Sequence, residues 1–274
     1  MQQSIISLIR CPVCGASGTV SEDKRSFYCE GTRRHCFDFS KSGYLNLAGP
    51  GGGVGDLKAA VRARSLFLDS GYYEPLSNEV NAILSQYNAA SVLDAGCGEG
   101  YYSNRMAENG RIALGADLSV AGIDHAAKSA KSMGQNAGFL VASLFRLPVA
   151  EGSLDAVTNI FAPCAEDEFC RVLKPGGYLI LVGAGTEHLF GLKRILYDDP
   201  YKNEGRSDLP EHMQFIERRN LSYEITVEGT ERIQALFSMT PYYWRTAEHD
   251  REKLTNLTTL TTEIDFDIFI YRKG

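Results

Sequence analysis

One stretch limits what this chain can fold into more than any other: Val92-Leu93-Asp94-Ala95-Gly96-Cys97-Gly98-Glu99-Gly100. Glycines at alternate positions weaken any helix or strand, but they permit a tight turn and let a ligand approach the backbone. The apolar run before them, 91–95, predicts a strand, and 100–109 has the spacing of a helix. The same rhythm continues downstream. Segments 112–117, 138–142, 154–160 and 177–182 read as strands, and 121–133 and 165–173 as helices. Such alternation requires right-handed crossovers and a mainly parallel sheet covered on both faces, the α/β class. Upstream, 57–70 and 74–87 read as helices, with Pro75 suited to a first helical turn. Downstream the rhythm breaks. Segment 221–227 alternates, 229–238 looks helical, and 264–271 (IDFDIFIY) alternates strictly, which predicts an antiparallel strand at or near a sheet edge. Seven strands are expected in all.

The glycine loop also discriminates between ligands. A dinucleotide fingerprint reads G-x-G-x-x-G and seats a pyrophosphate on the helix N-terminus. Here the third glycine comes one residue early, and Asp94 stands ahead of the first. A carboxylate at a strand's carboxyl end suits a cation better than a pyrophosphate. S-adenosylmethionine carries a sulfonium and an ammonium and no phosphate. Asp117, nineteen residues beyond Gly98, ends the next strand where it can accept both ribose hydroxyls. The expected cofactor is therefore S-adenosylmethionine, held by Asp94, Gly96, Gly98, Gly100 and Asp117. A plain glycine turn with two incidental aspartates does not account for both carboxylates falling at strand ends. Leu173-Lys174-Pro175-Gly176-Gly177 closes a helix and opens a strand, as in many class I methyltransferases, and Glu168 with Arg171 reads as a helix-surface pair.

Seven cysteines are present, and Cys11, Cys14, Cys29 and Cys36 crowd the first forty residues. In a reducing compartment such clustering favours metal over disulfides. Cys11-Pro12-Val13-Cys14 turns two sulfurs toward one centre. The fourteen residues before Cys29 suffice for a hairpin built on 19–20 and 26–28. His35 and Cys36 compete for the fourth position, since neighbours cannot both easily serve one tetrahedral ion. So short a segment needs a staple to fold, which favours a structural zinc over four reduced thiols. A redox role fits less well, because no helix begins after the pair to lower a thiol pKa.

Net charge is −6, but its distribution is uneven. Residues 1–70 hold nine Lys/Arg against six Asp/Glu, and the remainder nineteen against twenty-eight. The basic head, with Arg33, Arg34, Lys41, Arg62 and Arg64, can meet phosphates or be an ordinary solvated face. Residues 48–56 are too glycine-rich for regular structure. They read as a linker between a zinc domain (1–47) and a catalytic domain (57–274), since the strand and Lys-Ser/Thr pair of a phosphate loop are missing. No apolar run reaches the ~20 residues of a membrane helix and no signal peptide is evident, so a cytoplasmic location is expected.

These motifs together resemble the bacterial 23S rRNA (guanine-N1)-methyltransferases of the RlmA type. The carriers are CPVC, HCFDFSKSGYLNL (35–47), RSLFLDSGYYEPL (64–76), VLDAGCGEGYYS (92–103), FAPC (161–164), LKPGG (173–177), HLFGLKRILY (188–197) and MTPYYWR (239–245). The resemblance implies a zinc domain that helps bind RNA, a class I (Rossmann-like) methyltransferase domain, a homodimer, and a guanine target in a hairpin loop of large-subunit ribosomal RNA. It implies Cys11, Cys14, Cys29 and His35 as zinc ligands, and places Tyr73, the Gly98–Glu99 turn and His188 beside the cofactor. Two departures stand out. The Cys29–His35 spacing is expanded, and Ser143 occupies the position where many relatives carry an aspartate near the adenine.

Methyl transfer is an in-line displacement, so an enzyme contributes chiefly by alignment. Guanine N1 carries a proton at neutral pH that must leave. His188, Asn159 and Arg245 are the candidates to assist, although His188 reads more readily as a cofactor-positioning or plain loop residue. FAPC lacks the pattern used for exocyclic amines, which fits a ring nitrogen target. Phe161, Tyr242, Tyr243 and Trp244 are candidates to stack a flipped base. Two rival functions remain: a small-molecule methyltransferase, and a catalytically idle zinc-containing RNA-binding protein.

Overall fold

The computed structural model describes residues 1–49, 58–108 and 110–274, so the expected linker lies mostly outside the described residues. The amino-terminal head comprises helix α1 (Gln3–Ile6) and strands β1 (Gly18–Val20), β2 (Ser26–Cys29) and β3 (Cys36–Asp38), the three strands forming a small antiparallel sheet. The remainder runs β4 (Leu45–Asn46), α2 (Lys58–Leu68), α3 (Glu74–Gln86), β5 (Ser91–Ala95), α4 (Tyr101–Glu108), β6 (Ile112–Asp117), α5 (Val120–Met133), β7 (Ala137–Val141), β8 (Leu154–Ile160), α6 (Glu166–Val172), β9 (Leu173–Ala184), α7 (Phe190–Leu196), β10 (Gln214–Glu228), α8 (Thr230–Ser238), α9 (Glu248–Glu252) and β11 (Thr259–Arg272).

The main sheet has the order β10-β11-β9-β8-β5-β6-β7-β4. All pairings from β9 to β4 are parallel, and β11 is antiparallel to both β9 and β10. Eight strands replace the seven expected. The eighth, β4, comes from the end of the segment read as zinc domain and pairs Leu45 with Leu140 and Asn46 with Val141. Two residues show no readable period, so no sequence pattern announces it.

Alternate residues of each central strand feed different cores. On one face Val92, Ala113, Ala156, Ile180 and Phe266 pack under α2, α3, α4 and α8. On the other, Leu93, Leu114, Leu140, Val157 and Leu179 meet α6 residues Phe169 and Val172. A crossover helix ordinarily covers the sheet between parallel strands that follow one another in the chain. Here the connection from β7 to β8 supplies only a single 3-10 turn, Leu144–Arg146. The head fills the gap. Ile5, Ile6, Leu8 and Ile9 and the hairpin residue Phe27 belong to the same core as the sheet. Gly138 makes the approach possible, because a Cβ there would come within 2.7 Å of the Ile5 side chain. Backbone bonds from Arg10 N–H to Pro148 O (2.9 Å) and from Ala150 N–H to Leu8 O (2.8 Å) fasten the contact.

Candidate active site and metal centre

The zinc candidates converge. The ligand atoms of Cys11, Cys14, Cys29 and His35 lie within 4.8 Å of one another. Cys14 and Cys29 sulfurs are 3.7 Å apart, and His35 Nδ1 is 3.5 Å from Cys11 Sγ and 3.4 Å from Cys29 Sγ. A tetrahedron with Zn–S of about 2.3 Å and Zn–N of about 2.0 Å has edges of about 3.8 Å and 3.5 Å, so the donor set fits the ion. Cys36 points elsewhere, toward Asp38. Burial pushes the Cys29 thiol up, but the backbone N–H groups of Gly31 and His35 outweigh it and bring the value to about 6. These N–H bonds favour the thiolate that a metal needs. Four protein ligands leave no open position, which makes the site structural. The Glu168–Arg171 pair is likewise structural: Arg171 also donates to Val149 O and Leu147 O, tying α6 to the segment 147–149 that bridges to Ile9.

A cavity of about 510 Å³ opens at the carboxyl ends of the parallel strands, where ligands bind in such sheets. Gly96, Cys97, Gly98 and Glu99 line it after β5, Asp117 at the end of β6, and Phe161, Ala162 and Pro163 after β8. Asp117 accepts the Gly98 N–H at 3.1 Å and the Ser119 N–H at 2.7 Å, so it braces the turn while facing the cavity. Gly96 has φ +85°, and a Cβ there would sit 2.4 Å from that of Ala162. Tyr73 and His188 also line the cavity, with Tyr73 Oη 3.3 Å from His188 Nε2.

Several expected residues fall elsewhere. Asp94 lies beneath the loop and does not line the cavity. Its buried carboxylate accepts from Ser103 Oγ (2.5 Å) and Thr158 Oγ1 (3.1 Å), and burial pushes its pKa up to about 6. It can act on a cofactor only through its field. Gly100 serves helix packing, since a Cβ would meet Ala126 at 2.6 Å. Ser143 starts the 3-10 turn and accepts from Phe145 N–H. Arg64 was expected on a basic RNA face but belongs to the cavity wall, paired with the buried Glu99 at 3.0 Å. Arg33, Arg34, Lys41 and Arg62 are exposed, with the Arg34 guanidinium 4.8 Å from the Tyr28 ring centre.

The three candidate catalytic groups change meaning as well. His188 is half-buried in the cavity wall, and loss of solvent around the ring lowers its pKa to about 3. Its Nδ1 accepts the Asp265 N–H at 3.3 Å, which assigns the proton to Nε2, facing Tyr73. A neutral imidazole with its lone pair taken is a poor base. Asn159 is spent structurally: its amide donates to Ala95 O and Pro163 O and accepts from Arg206. Arg245 is exposed and does not line the cavity. Phe161 is the notable survivor. It has φ +55°, a conformation costing a non-glycine residue on the order of 1–3 kcal/mol, and its ring is 47% exposed at the cavity edge. That ring stacks on His188 at 6.4 Å with an angle of 20°, and His188 rests on Phe266. Tyr242 lines the cavity and Trp244 is exposed. Tyr102, Asn203, Thr240 and Met239 also line it and were not anticipated. Tyr102, Met239 and Thr240 fall within segments 92–103 and 239–245, where nothing singled them out for a role, and Asn203 comes from an irregular segment that carries no motif.

The fold and these two sites define a class I, S-adenosylmethionine-dependent methyltransferase that carries a zinc ribbon. The comparisons agree: a methyltransferase domain matches residues 92–177, and the family described as RlmA, N-terminal, a zinc ribbon, matches residues 9–48. The chain thus carries a zinc ribbon of the RlmA type together with a methyltransferase domain. It is 29% identical to a Bacillus subtilis protein provisionally named 23S rRNA (guanine-N(1)-)-methyltransferase YxjB, over 97% of this chain and 98% of that one. It is 28% identical to the 23S rRNA (guanine(748)-N(1))-methyltransferase of Streptomyces fradiae, over 89% of this chain and 88% of the relative. Among the described residues no helix is long and apolar enough to cross a membrane.

Proposed function

We propose that this protein transfers a methyl group from S-adenosylmethionine to N1 of a guanine in large-subunit ribosomal RNA. The observation that carries the reading is the exposed, strained Phe161 ring at the edge of the cavity lined by the glycine loop and Asp117. An aromatic platform there suits a base extruded from a nucleic acid. S-adenosylmethionine, when bound, supplies an electrophilic methyl on its sulfonium. Asp117, braced by the Gly98 N–H, would accept the ribose hydroxyls, and the Glu99–Arg64 pair braces the adjoining wall. Phe161 holds the base flat so that N1 and the methyl carbon can align. His188 does not take the N1 proton, because its Nδ1 lone pair is engaged and its basicity is suppressed. It serves as backing for Phe161.

Arg33, Arg34 and Lys41 on the head, with Arg62 on α2, are the proposed phosphate contacts. The protein works in the cytoplasm, where ribosomal RNA is made, and the target lies in a hairpin loop that opens more easily than a duplex. The homodimer implied by the resemblance is checked by light scattering. For the activity itself, purified protein is incubated with labelled S-adenosylmethionine and either large-subunit RNA or a metabolite extract, followed by nucleoside mass spectrometry. The expected product is 1-methylguanosine. Label on another atom, or only in a metabolite, would refute the assignment.

A further inference from the structure

Between α7 and β10 the chain has no helix or strand, and this strap lies against the ends of β8 and β9. Its Arg206 side chain is only 7% exposed. A buried guanidinium must find acceptors for its donors, and this one has them. It grips Asp208 through Nε (2.7 Å) and Nη2 (3.0 Å), and Nη1 donates to Val182 O at 3.1 Å. Nη2 also donates to Asn159 Oδ1 at 2.7 Å and to Ala162 O at 2.8 Å. Asp208 Oδ2 in turn accepts the Cys164 N–H at 2.8 Å. One ion pair therefore holds the 161–164 loop at a carbonyl and at an N–H.

Anchoring the strap needs no grip on this loop, yet the grip falls where the backbone is strained. Phe161 sits at φ +55° with its ring half exposed, so burial of the ring does little to hold that conformation. Ala162 also touches the cofactor turn, filling the space a side chain at Gly96 would need. A shift of the loop would thus change the angle of Phe161 and its distance from the cofactor turn together.

We propose that Arg206, with Asp208, is a positioning residue for methyl transfer: it fixes Phe161 as the platform that aligns the target base with the cofactor loop. This rests on the reading that the base stacks on Phe161. The test is a double-mutant cycle in the zinc-loaded full chain, with large-subunit RNA as substrate. Single-turnover rates are measured for wild type, Phe161→Ala, Arg206→Gln and the double variant, alongside S-adenosylmethionine affinity by calorimetry and thermal melts. Misplacing a reacting partner by about 1 Å costs about a hundredfold, so Arg206→Gln should slow transfer on that scale. Its cofactor affinity should move by less than about threefold. The double variant should be no slower than the slower single variant, because Arg206 acts through Phe161. Asp208→Asn, a milder break of the same clamp, should slow transfer part of the way and remains informative should Arg206→Gln fail to fold. Multiplicative losses in the double variant, or a rate loss that tracks cofactor affinity, would overturn the proposal. If Phe161→Ala is slow while Arg206→Gln and Asp208→Asn react normally, the platform reading stands and only this proposal falls. If Phe161→Ala reacts at the wild-type rate, both fall.

Discussion

Ile5→Ala should destabilise the whole chain and not the head alone. Ile5 is fully buried, the third residue of a four-residue helix, yet it packs on the face of the main sheet over Gly138 of β7. Truncating such a residue costs about 2–5 kcal/mol. The upper half of that range applies here, since Gly138 beneath it has no side chain to relax into the space. A loss of about 4 kcal/mol lowers Tm by roughly 8–16 °C in a chain near this size. The assay is urea unfolding followed in parallel by far-ultraviolet circular dichroism, by fluorescence of Trp244, the sole tryptophan, and by zinc release to a chromogenic chelator. One shared core predicts a single transition in which all three signals coincide, shifted to lower urea in the variant. If zinc is released early while the Trp244 and dichroism curves stay at wild-type positions, the shared core is refuted.

Asp117→Ala removes the proposed acceptor of the two ribose hydroxyls and releases the Gly98 N–H, a loss of roughly 1.5–3 kcal/mol. Calorimetry should therefore find S-adenosylmethionine bound about ten- to a hundredfold more weakly. Asp94 titrates at about 6 in the fold against 3.8 ordinarily, because it is buried. The folded state thus holds the extra proton, and the Asp94 contribution to stability is lost as pH rises from 3.8 to 6; His188, lowered from 6.5 to about 3, contributes the opposite slope, so in melts of the cofactor-free protein across that range Asp94→Asn should gain stability with pH more steeply than wild type. Arg64→Ala should weaken cofactor binding and leave the salt dependence of RNA binding unchanged, while Arg33→Ala with Arg34→Ala should flatten that dependence and spare the cofactor. Elemental analysis should find one zinc per chain retained in Cys36→Ser and lost in His35→Ala, and the reverse outcome would reassign the fourth ligand.

What could be read from the residues was what local chemistry dictates. The parallel strands announce themselves as buried apolar runs, and the glycine turn by its spacing. Cys11, Cys14 and Cys29 stand out by composition, but the choice between His35 and Cys36 needed the fold, which turns adjacent side chains in opposite directions. Arg64 looked like one more surface cation because nothing in α2 reveals that Glu99, far along the chain, is its partner. Asp94 ends its strand as expected, yet Ser103 and Thr158 take its oxygens from below. The tautomer of His188 depends on a backbone N–H contributed by β11. Edge strand β10 is longer than its apolar alternation suggested, because its first half is mostly exposed and held by pairing with β11. Arg206 was invisible: its segment has no period and no motif, and its meaning lies wholly in contacts distant in sequence.

The placement of β4 also has a consequence for how the molecule is made. Leu45 and Asn46 leave the ribosome early, but the strand they pair with, β7, is synthesised only with residues Ala137–Val141. Until then the nascent head can close its metal knot but must keep Ile5, Ile6 and Ile9 uncovered. The head, which emerges before the sheet that covers it, is therefore among the last parts to be buried. Docking waits on a pairing of large sequence separation, which makes it a slow step of folding and leaves an apolar face exposed to chaperones in the interval.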